Sequence, residues 1–382
     1  MKTVWNYPTR VVFGIGACAS LGEELRHLGL RRVLLVTDAG VRTAVVNSTV
    51  APAARVDGCE VEIFDDLQGN PTEQNVDDGV AAYRAAGADG VLAVGGGSAL
   101  DVGKLVSACV GSGRRVRELD AESGGDSLIP SKLPPVVAIP TTAGTGSEVG
   151  RAAVFTLSDQ RRKAVVFAAS MMPVCALLDP ELTRGLPSRI TAATGFDALT
   201  HCLEALCASG EHPMADGIAL EGIRLASLAI RAATRHGDTD LASRGAMMKA
   251  ALMGAVAFQK GLGACHSMAH PLSSICGLHH GVANAVCLPA VVRYNGTVVP
   301  QTFERALRAI GAEPSSNPAE TLARWLEGLR SDLELPSSLL PLGVTADHVN
   351  ELSTQAFADG CHSDNPRSCS REDFRSLFRS CL

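Results

Sequence analysis

Gly90-Val91-Leu92-Ala93-Val94-Gly95-Gly96-Gly97-Ser98-Ala99-Leu100-Asp101-Val102-Gly103-Lys104 begins as a continuous apolar run and breaks into three glycines and a serine. A short apolar run without polar alternation reads as a strand buried on both faces, as in a parallel sheet. Glycines where a strand gives way to a helix let the backbone approach a pyrophosphate, and the N–H groups of the helix's first turn point at it. Gly96, Gly97 and Ser98 are therefore the first candidates for holding a dinucleotide.

Strands of the same kind flank this one. Upstream, Val33-Leu34-Leu35-Val36-Thr37-Asp38 is an apolar run ending in an acid. Such an acid at the carboxyl end of a strand accepts from the ribose 2′-OH of NAD and repels the 2′-phosphate of NADP, or it simply caps the next helix. Val61-Glu62-Ile63-Phe64 alternates as a strand does, and Asn70-Pro71-Thr72 turns the chain into a helix start. Downstream, the strand at Pro134–Pro140 leads into Thr141-Thr142-Ala143-Gly144-Thr145-Gly146-Ser147-Glu148, a loop rich in hydroxyls and free N–H groups, and Ala176–Pro180 closes the strand-rich half. The earlier Arg10–Phe13 and Gly14-Ile15-Gly16-Ala17-Cys18-Ala19 imitate a G-x-G-x-x-A turn, but the strand before it is short.

From Gly185-Leu186-Pro187 onward the pattern changes to Ala- and Leu-rich segments of helical period at 190–208, 215–234, 240–258 and 317–330. The expectation is an α/β dinucleotide-binding domain with a parallel sheet over residues 1–184 and an all-helical metal-binding, catalytic domain over 185–382. The helical half holds a dense histidine cluster, Cys265-His266-Ser267-Met268-Ala269-His270-Pro271 followed by Gly277-Leu278-His279-His280-Gly281. Upstream, Asp197 and His201 stand four residues apart, which puts both on one face of a helix. Buried among apolar neighbours, unpaired imidazoles and a carboxylate are costly, and one divalent cation satisfies them together.

Composition narrows the rest. With 382 residues, a formal net charge of −6 and scattered Lys and Arg, nucleic acid is not an expected partner. No stretch approaches the ~20 apolar residues of a membrane span, and Met1–Pro8 lacks the apolar core of a secretion signal. Twelve cysteines spread singly, with no Cys-x-x-Cys pair, read as reduced thiols in the cytoplasm.

With these residues in view the chain resembles the iron-containing (group III) alcohol dehydrogenase family, within the dehydroquinate-synthase-like superfamily. The resemblance runs from Phe13-Gly14-Ile15-Gly16 through the Gly95–Ser98 turn, Pro140–Thr145 and Thr194–His201 to the histidine stretch and Asn365-Pro366-Arg367. It implies that Asp197, His201, His266 and His280 hold Fe²⁺ or Zn²⁺, and that His270 lies beside the nicotinamide and substrate; one helical turn from His266, His270 is placed to relay the alcohol proton. It further implies that Asp38, Asn70, Gly96, Gly97, Ser98, Asp101, Thr141, Thr142, Thr145 and Lys163 line NAD, with NADP as the other option. A homodimer or higher homo-oligomer is also implied.

The implied activity is interconversion of a primary or short-chain alcohol and its aldehyde or ketone by hydride transfer with NAD(P). A maleylacetate-reductase-like activity, or an NAD-retaining lyase of the dehydroquinate-synthase type, uses the same parts. Two departures bear on the substrate: Gly150 stands where the family has a threonine, and Arg151 and Lys260 place cations beside elements expected to line the pocket. Either cation pairs with an acid such as succinic semialdehyde or 4-hydroxybutyrate, or both are solvated surface residues.

Overall fold

A computed structural model describes Tyr7, residues 10–160 and residues 162–382; the reading of the amino terminus as lacking a secretion signal falls almost wholly outside them. By their internal contacts the residues form two compact units, one of Tyr7–Thr142 and Gly146–Gly185, the other of Ala143–Thr145 and Leu186–Leu382.

The first unit is built on a six-stranded sheet of β1 (Arg10–Phe13), β2 (Arg32–Val36), β3 (Glu60–Phe64), β4 (Gly90–Gly95), β5 (Val136–Pro140) and β8 (Cys175–Leu178). The order is β1-β8-β5-β4-β2-β3 and every pairing is parallel. Alternation along the strands explains their uninterrupted apolarity. Leu34, Val36, Val91, Ala93, Val136 and Ala138 enter one buried cluster, while Val33, Leu35, Leu92, Val94, Val137 and Ile139 enter another on the opposite face. Helices α1 (Leu21–His27), α2 (Ala39–Val41), α3 (Ala51–Arg55), α4 (Glu73–Ala86) and α5 (Gly97–Ser112) cover the sheet. An antiparallel hairpin, β6 (Ala152–Leu157) and β7 (Arg162–Phe167), was not foreseen in the sequence. Its first half is Ala-Ala-Val-Phe-Thr-Leu, which lacks the polar alternation that marks a half-exposed strand.

The second unit is helical: α6 (Ser188–Cys207), α7 (Pro213–His236), α8 (Leu241–Ala257), α9 (Ala264–Cys276), α10 (His280–Asn295), α11 (Pro300–Ala309), α12 (Pro318–Asp332), α13 (Val349–Ala358) and α14 (Arg371–Ser380). The four helical segments read from periodicity are α6, α7, α8 and α12, with ends moved by at most two residues. Close approach of α6, α7 and α8 depends on glycine. A Cβ at Gly222 would meet the Cys202 sulfur at 2.5 Å, and one at Gly254 would meet the His201 Cβ at 2.9 Å. Among the described residues no helix is long and apolar enough to cross a membrane. All twelve cysteines are free and ten are buried.

Candidate metal centre and dinucleotide edge

On α6 the helical spacing places Asp197, His201 and Glu204 along one buried face. Three imidazole nitrogens converge on a single oxygen, Asp197 Oδ1: His280 Nε2 at 3.5 Å, His266 Nε2 at 3.7 Å and His201 Nε2 at 3.8 Å. These separations are long for hydrogen bonds. They suit ligands around one ion, because bonds of about 2.0–2.2 Å in a tetrahedral set leave neighbouring donors about 3.4 Å apart. Among the described residues His266 Nε2 is buried without any hydrogen-bond partner, a costly arrangement that a cation would relieve. The donor set of three imidazoles and a carboxylate therefore fits Fe²⁺ or Zn²⁺.

Three of the four donors have a polar neighbour, and His201 is packed against rings. Glu204 Oε2 lies 2.5 Å from His266 Nδ1, and the same carboxylate accepts from the backbone N–H of Cys265 at 2.7 Å and of His266 at 3.3 Å. It thus caps the first turn of α9 from α6 and fixes the His266 ring. Asn284, one turn after His280 on α10, donates to Asp197 Oδ1 at 2.7 Å and faces His280 Nε2 at 3.2 Å. His201 stacks on His266 with ring centroids 4.7 Å apart, and Phe258 packs against it at 5.1 Å. A Cβ at Gly281 would sit 2.0 Å from the Ala193 carbonyl oxygen, so α6 and α10 meet backbone to backbone beside two of the donors.

The electrostatics follow from this crowding. Burial would raise the Asp197 carboxyl, but His201, His280 and His266 hold it far below the carboxylate range. Burial lowers His201 to about 4 and carries His280 well below its usual value, Asp197 opposing in both. Burial would lower His266 too, yet the carboxylates of Asp197 and Glu204 beside it lift it to about 9.

His270, one turn after His266, stacks on His280 with centroids 5.4 Å apart. Its Nδ1 lies 2.7 Å from Asp359 Oδ2. Burial would raise the Asp359 carboxyl, and His270 and Ser267 bring it below its usual range. His279 caps the start of α10 and contributes no side-chain cap bond.

In the α/β unit Thr141 and Thr142, Gly96 to Ser98, and Asp38 follow the carboxyl ends of β5, β4 and β2, three neighbours in the sheet, while Asn70 follows β3 and Lys163 lies on β7. The chain leaves β2 toward β3 and β4 toward β5, so the strand order reverses between β2 and β4, where open α/β sheets form their ligand crevice. Gly95 has φ 147°, and Gly96 caps α5 without a side-chain bond. Thr142 lies across from Gly96, where a Cβ would meet its methyl at 3.4 Å, and the Thr141 N–H donates to the Gly95 carbonyl. Asp38 Oδ1 accepts from the Val41 N–H at 2.9 Å, so the residue caps α2 with one oxygen. Lys163 and Asn70 are brought together, Nζ to Oδ1 at 2.7 Å, and burial lowers the lysine to about 8 against the pull of Asp101.

Other candidates have structural tasks. Asp101 accepts from the Ser147 hydroxyl at 2.5 Å and the Val154 N–H at 3.0 Å, and the buried Lys104 beside it donates to the carbonyls of Ser147, Gly150 and Ala152. Together they pin the loop before β6. The imitation turn at Gly14–Ala19 has its N–H groups taken, Gly16 and Cys18 both donating to Asp179. Lys260 Nζ is 2.7 Å from Asp216 and also donates to the Leu206 carbonyl, with its side chain only 6% exposed. Its charge is thus compensated within the helical unit, contrary to a free cation awaiting a substrate acid. The Arg151 guanidinium lies 4.6 Å over the Phe167 ring.

Sequence reasoning assigns no role to Glu204, Asn284 or Asp359. Glu204 and Asn284 had a usable signal, since they fall at i+7 from Asp197 and i+4 from His280. Asp359 had none, lying 89 residues from its partner.

The model of the family described as iron-containing alcohol dehydrogenase matches residues 8–180, and that described as its C-terminal domain matches 191–382. The chain is 40% identical to a 4-hydroxybutyrate dehydrogenase of Cupriavidus necator, over 98% of this chain and 99% of the relative. It is 32% identical to an NAD-dependent methanol dehydrogenase of Bacillus methanolicus, over 98% of each. Among solved structures, a 1,3-propanediol oxidoreductase superposes with a TM-score of 0.95 at 34% identity, covering all of both chains.

Proposed function

The chain belongs to the iron-containing alcohol dehydrogenase family, and from that premise we propose that Asp197, His201, His266 and His280 hold the divalent cation of an NAD-dependent alcohol dehydrogenase. The observation that carries this reading is the convergence of three imidazole nitrogens on Asp197 Oδ1, with His266 Nε2 buried and unpartnered. A divalent ion in such a set supplies positive charge that favours ionisation of an alcohol and polarises an aldehyde carbonyl.

The chain's own residues do the rest. Asn284 and Glu204 keep the Asp197 carboxylate and the His266 ring aimed inward, so that little reorganisation is needed when substrate arrives. His270 accepts the alcohol proton at Nε2 and returns it to the product alcohol in the reverse direction. Gly96, Gly97 and Ser98 receive the pyrophosphate, and Thr141 and Thr142 the adjoining oxygens. Thr145 and Lys163, the latter paired with Asn70, complete the dinucleotide contacts. Asp38, with one oxygen left beyond its cap bond, receives the ribose hydroxyls and favours NAD over NADP.

The substrate class is a short primary alcohol, with 4-hydroxybutyrate first to be tried because a relative 40% identical bears that name. The compensated charge of Lys260 leaves Arg151 as the candidate partner for an acid. A cytoplasmic homodimer or larger homo-oligomer belongs to the same proposal, with sizing by light scattering as its check. The decisive experiment strips the protein of metal, restores Fe²⁺ or Zn²⁺, and follows NADH oxidation with succinic semialdehyde, butyraldehyde and 3-hydroxypropanal. Metal-dependent loss of absorbance at 340 nm supports the reading. Equal rates in the stripped and restored protein, or none with any aldehyde and either metal, overturn it.

A further inference from the structure

We propose that Asp359 is a positioning residue, which fixes His270 as the Nδ1–H tautomer so that its Nε2 lone pair is the atom offered to the reacting alcohol. The inference deepens the dehydrogenase reading and rests on it for the role of His270, but not for the tautomer itself.

The directions of the bonds that the Ser267 hydroxyl, the Cys361 N–H and His270 make to Asp359 follow from their donors, and the Cys361 thiol is a further donor to the carboxylate. The His362 backbone N–H donates to Ser267 Oγ at 2.9 Å, which occupies a lone pair of that hydroxyl and leaves its single proton to go elsewhere. That proton goes to Asp359 Oδ1 at 2.7 Å. The Cys361 backbone N–H donates to the same Oδ1 at 2.9 Å. One carboxylate oxygen is thus saturated by two donors, and the other, Oδ2, faces His270 Nδ1 at 2.7 Å. An ionised carboxylate only accepts, so Nδ1 carries the proton, and Nε2 of the neutral ring carries the lone pair. Among the described residues no protein group is hydrogen-bonded to His270 Nε2, whose ring stacks on His280.

The arrangement also gives Asp359 a second task. When Nε2 takes a proton the ring becomes a cation, and the carboxylate at Nδ1 stabilises it, as a buried aspartate does for the histidine of a serine protease. Nothing in the local sequence announces this, because Asp359 follows α13 while His270 lies on α9.

Asp359→Asn tests the idea sharply because the fixed donors determine how the amide must lie. Ser267 and Cys361 demand an acceptor at the Oδ1 position, so the amide oxygen sits there and the NH₂ group faces Nδ1. The ring must then accept at Nδ1 and carry its proton on Nε2, the wrong tautomer for a base. The protein is labelled with ¹⁵N-histidine, loaded with diamagnetic Zn²⁺, and observed by long-range ¹H–¹⁵N correlation. The His270 signals are identified by their loss in His270→Asn.

The parent is expected to show His270 protonated at Nδ1, and Asp359→Asn to show it protonated at Nε2. In the variant kcat falls about 10²-fold or more, while metal content and the KM for NADH hold. Ser267→Ala, which frees Oδ1 only in part, is expected to lose less. A parent ring protonated at Nε2, an Asp359→Asn ring still protonated at Nδ1, or a variant kcat within twofold of the parent overturns the proposal. Should Asp359→Asn fail to fold, the parent spectrum decides by itself. A parent that reduces no aldehyde yet shows the expected tautomer and its reversal supports the positioning role while overturning the dehydrogenase reading.

Discussion

Replacing Glu204 by Gln changes one atom and reverses one polarity. The glutamine keeps its oxygen at the Cys265 N–H, 2.7 Å away, and turns its NH₂ toward two further donors, the His266 N–H and Nδ1–H. A buried charge-assisted bond worth about 1.5–3 kcal/mol is lost. His266 can restore a partner only by moving its proton from Nδ1 to Nε2, the atom that faces Asp197 Oδ1 at 3.7 Å. Loss of such a supporting group costs about 10- to 100-fold in metal affinity, or about 1.4–2.8 kcal/mol. Binding only the folded state, the metal stabilises by mass action, so this difference appears in melting curves. At about 2–4 °C per kcal/mol for a unit of this size, the metal-induced rise in Tm shrinks by about 3–11 °C. The assay compares chelator competition and thermal melts of stripped and loaded protein. A Glu204→Gln protein with the parent's chelator midpoint and the parent's metal-induced Tm shift refutes the reasoning.

Gly281→Ala forces a methyl to within 2.0 Å of the Ala193 carbonyl oxygen, and overpacking of that kind costs about 3 kcal/mol; metal content measured by atomic emission should fall with Tm. Lys260→Ala should lower stability by about 1–2 kcal/mol, because Asp216 loses one partner and keeps Arg305 at 3.1 Å. The ratio of kcat/KM for succinic semialdehyde to that for butyraldehyde should stay unchanged, and a loss confined to the acidic aldehyde would restore Lys260 as a substrate contact. Lys163 binds a proton up to about pH 10.4 when unfolded but only to about 8 when folded. The unfolded chain holds more protons in between, so this group makes stability rise from about pH 8 toward 10. A urea titration series should show that rise in the parent and not in Lys163→Met, and the Kd for NAD should weaken above about pH 8 in the parent alone.

Legibility in the sequence followed the range of the interaction. The sheet was readable because both its faces are buried, which leaves strands such as Val33–Val36 and Val91–Val94 uninterrupted by polar residues. The helices α6, α7, α8 and α12 were readable because their packing repeats every turn. Asp197 and His201 needed only helical spacing. Asp38 and Asp101 look alike on paper, yet one retains an oxygen at the sheet's edge and the other spends both on Ser147 and Val154. Whether Lys260 is free depended on Asp216, 44 residues away, and no local pattern carries that information. The hairpin of β6 and β7 was hidden for a related reason: its register depends on partners across the turn, not on spacing within either strand.

The glycine at 281 means that the spacing of α6 and α10, two of the helices bearing the donors, is a property of the main chain. Exchanging core side chains cannot loosen or tighten that frame by small increments, as it can where two leucines meet. A library seeking new alcohols would do well to leave Gly281, and the glycines at 222 and 254, untouched. Variation spent on walls that close through side chains alone can alter what is admitted while the grip on the ion is inherited unchanged.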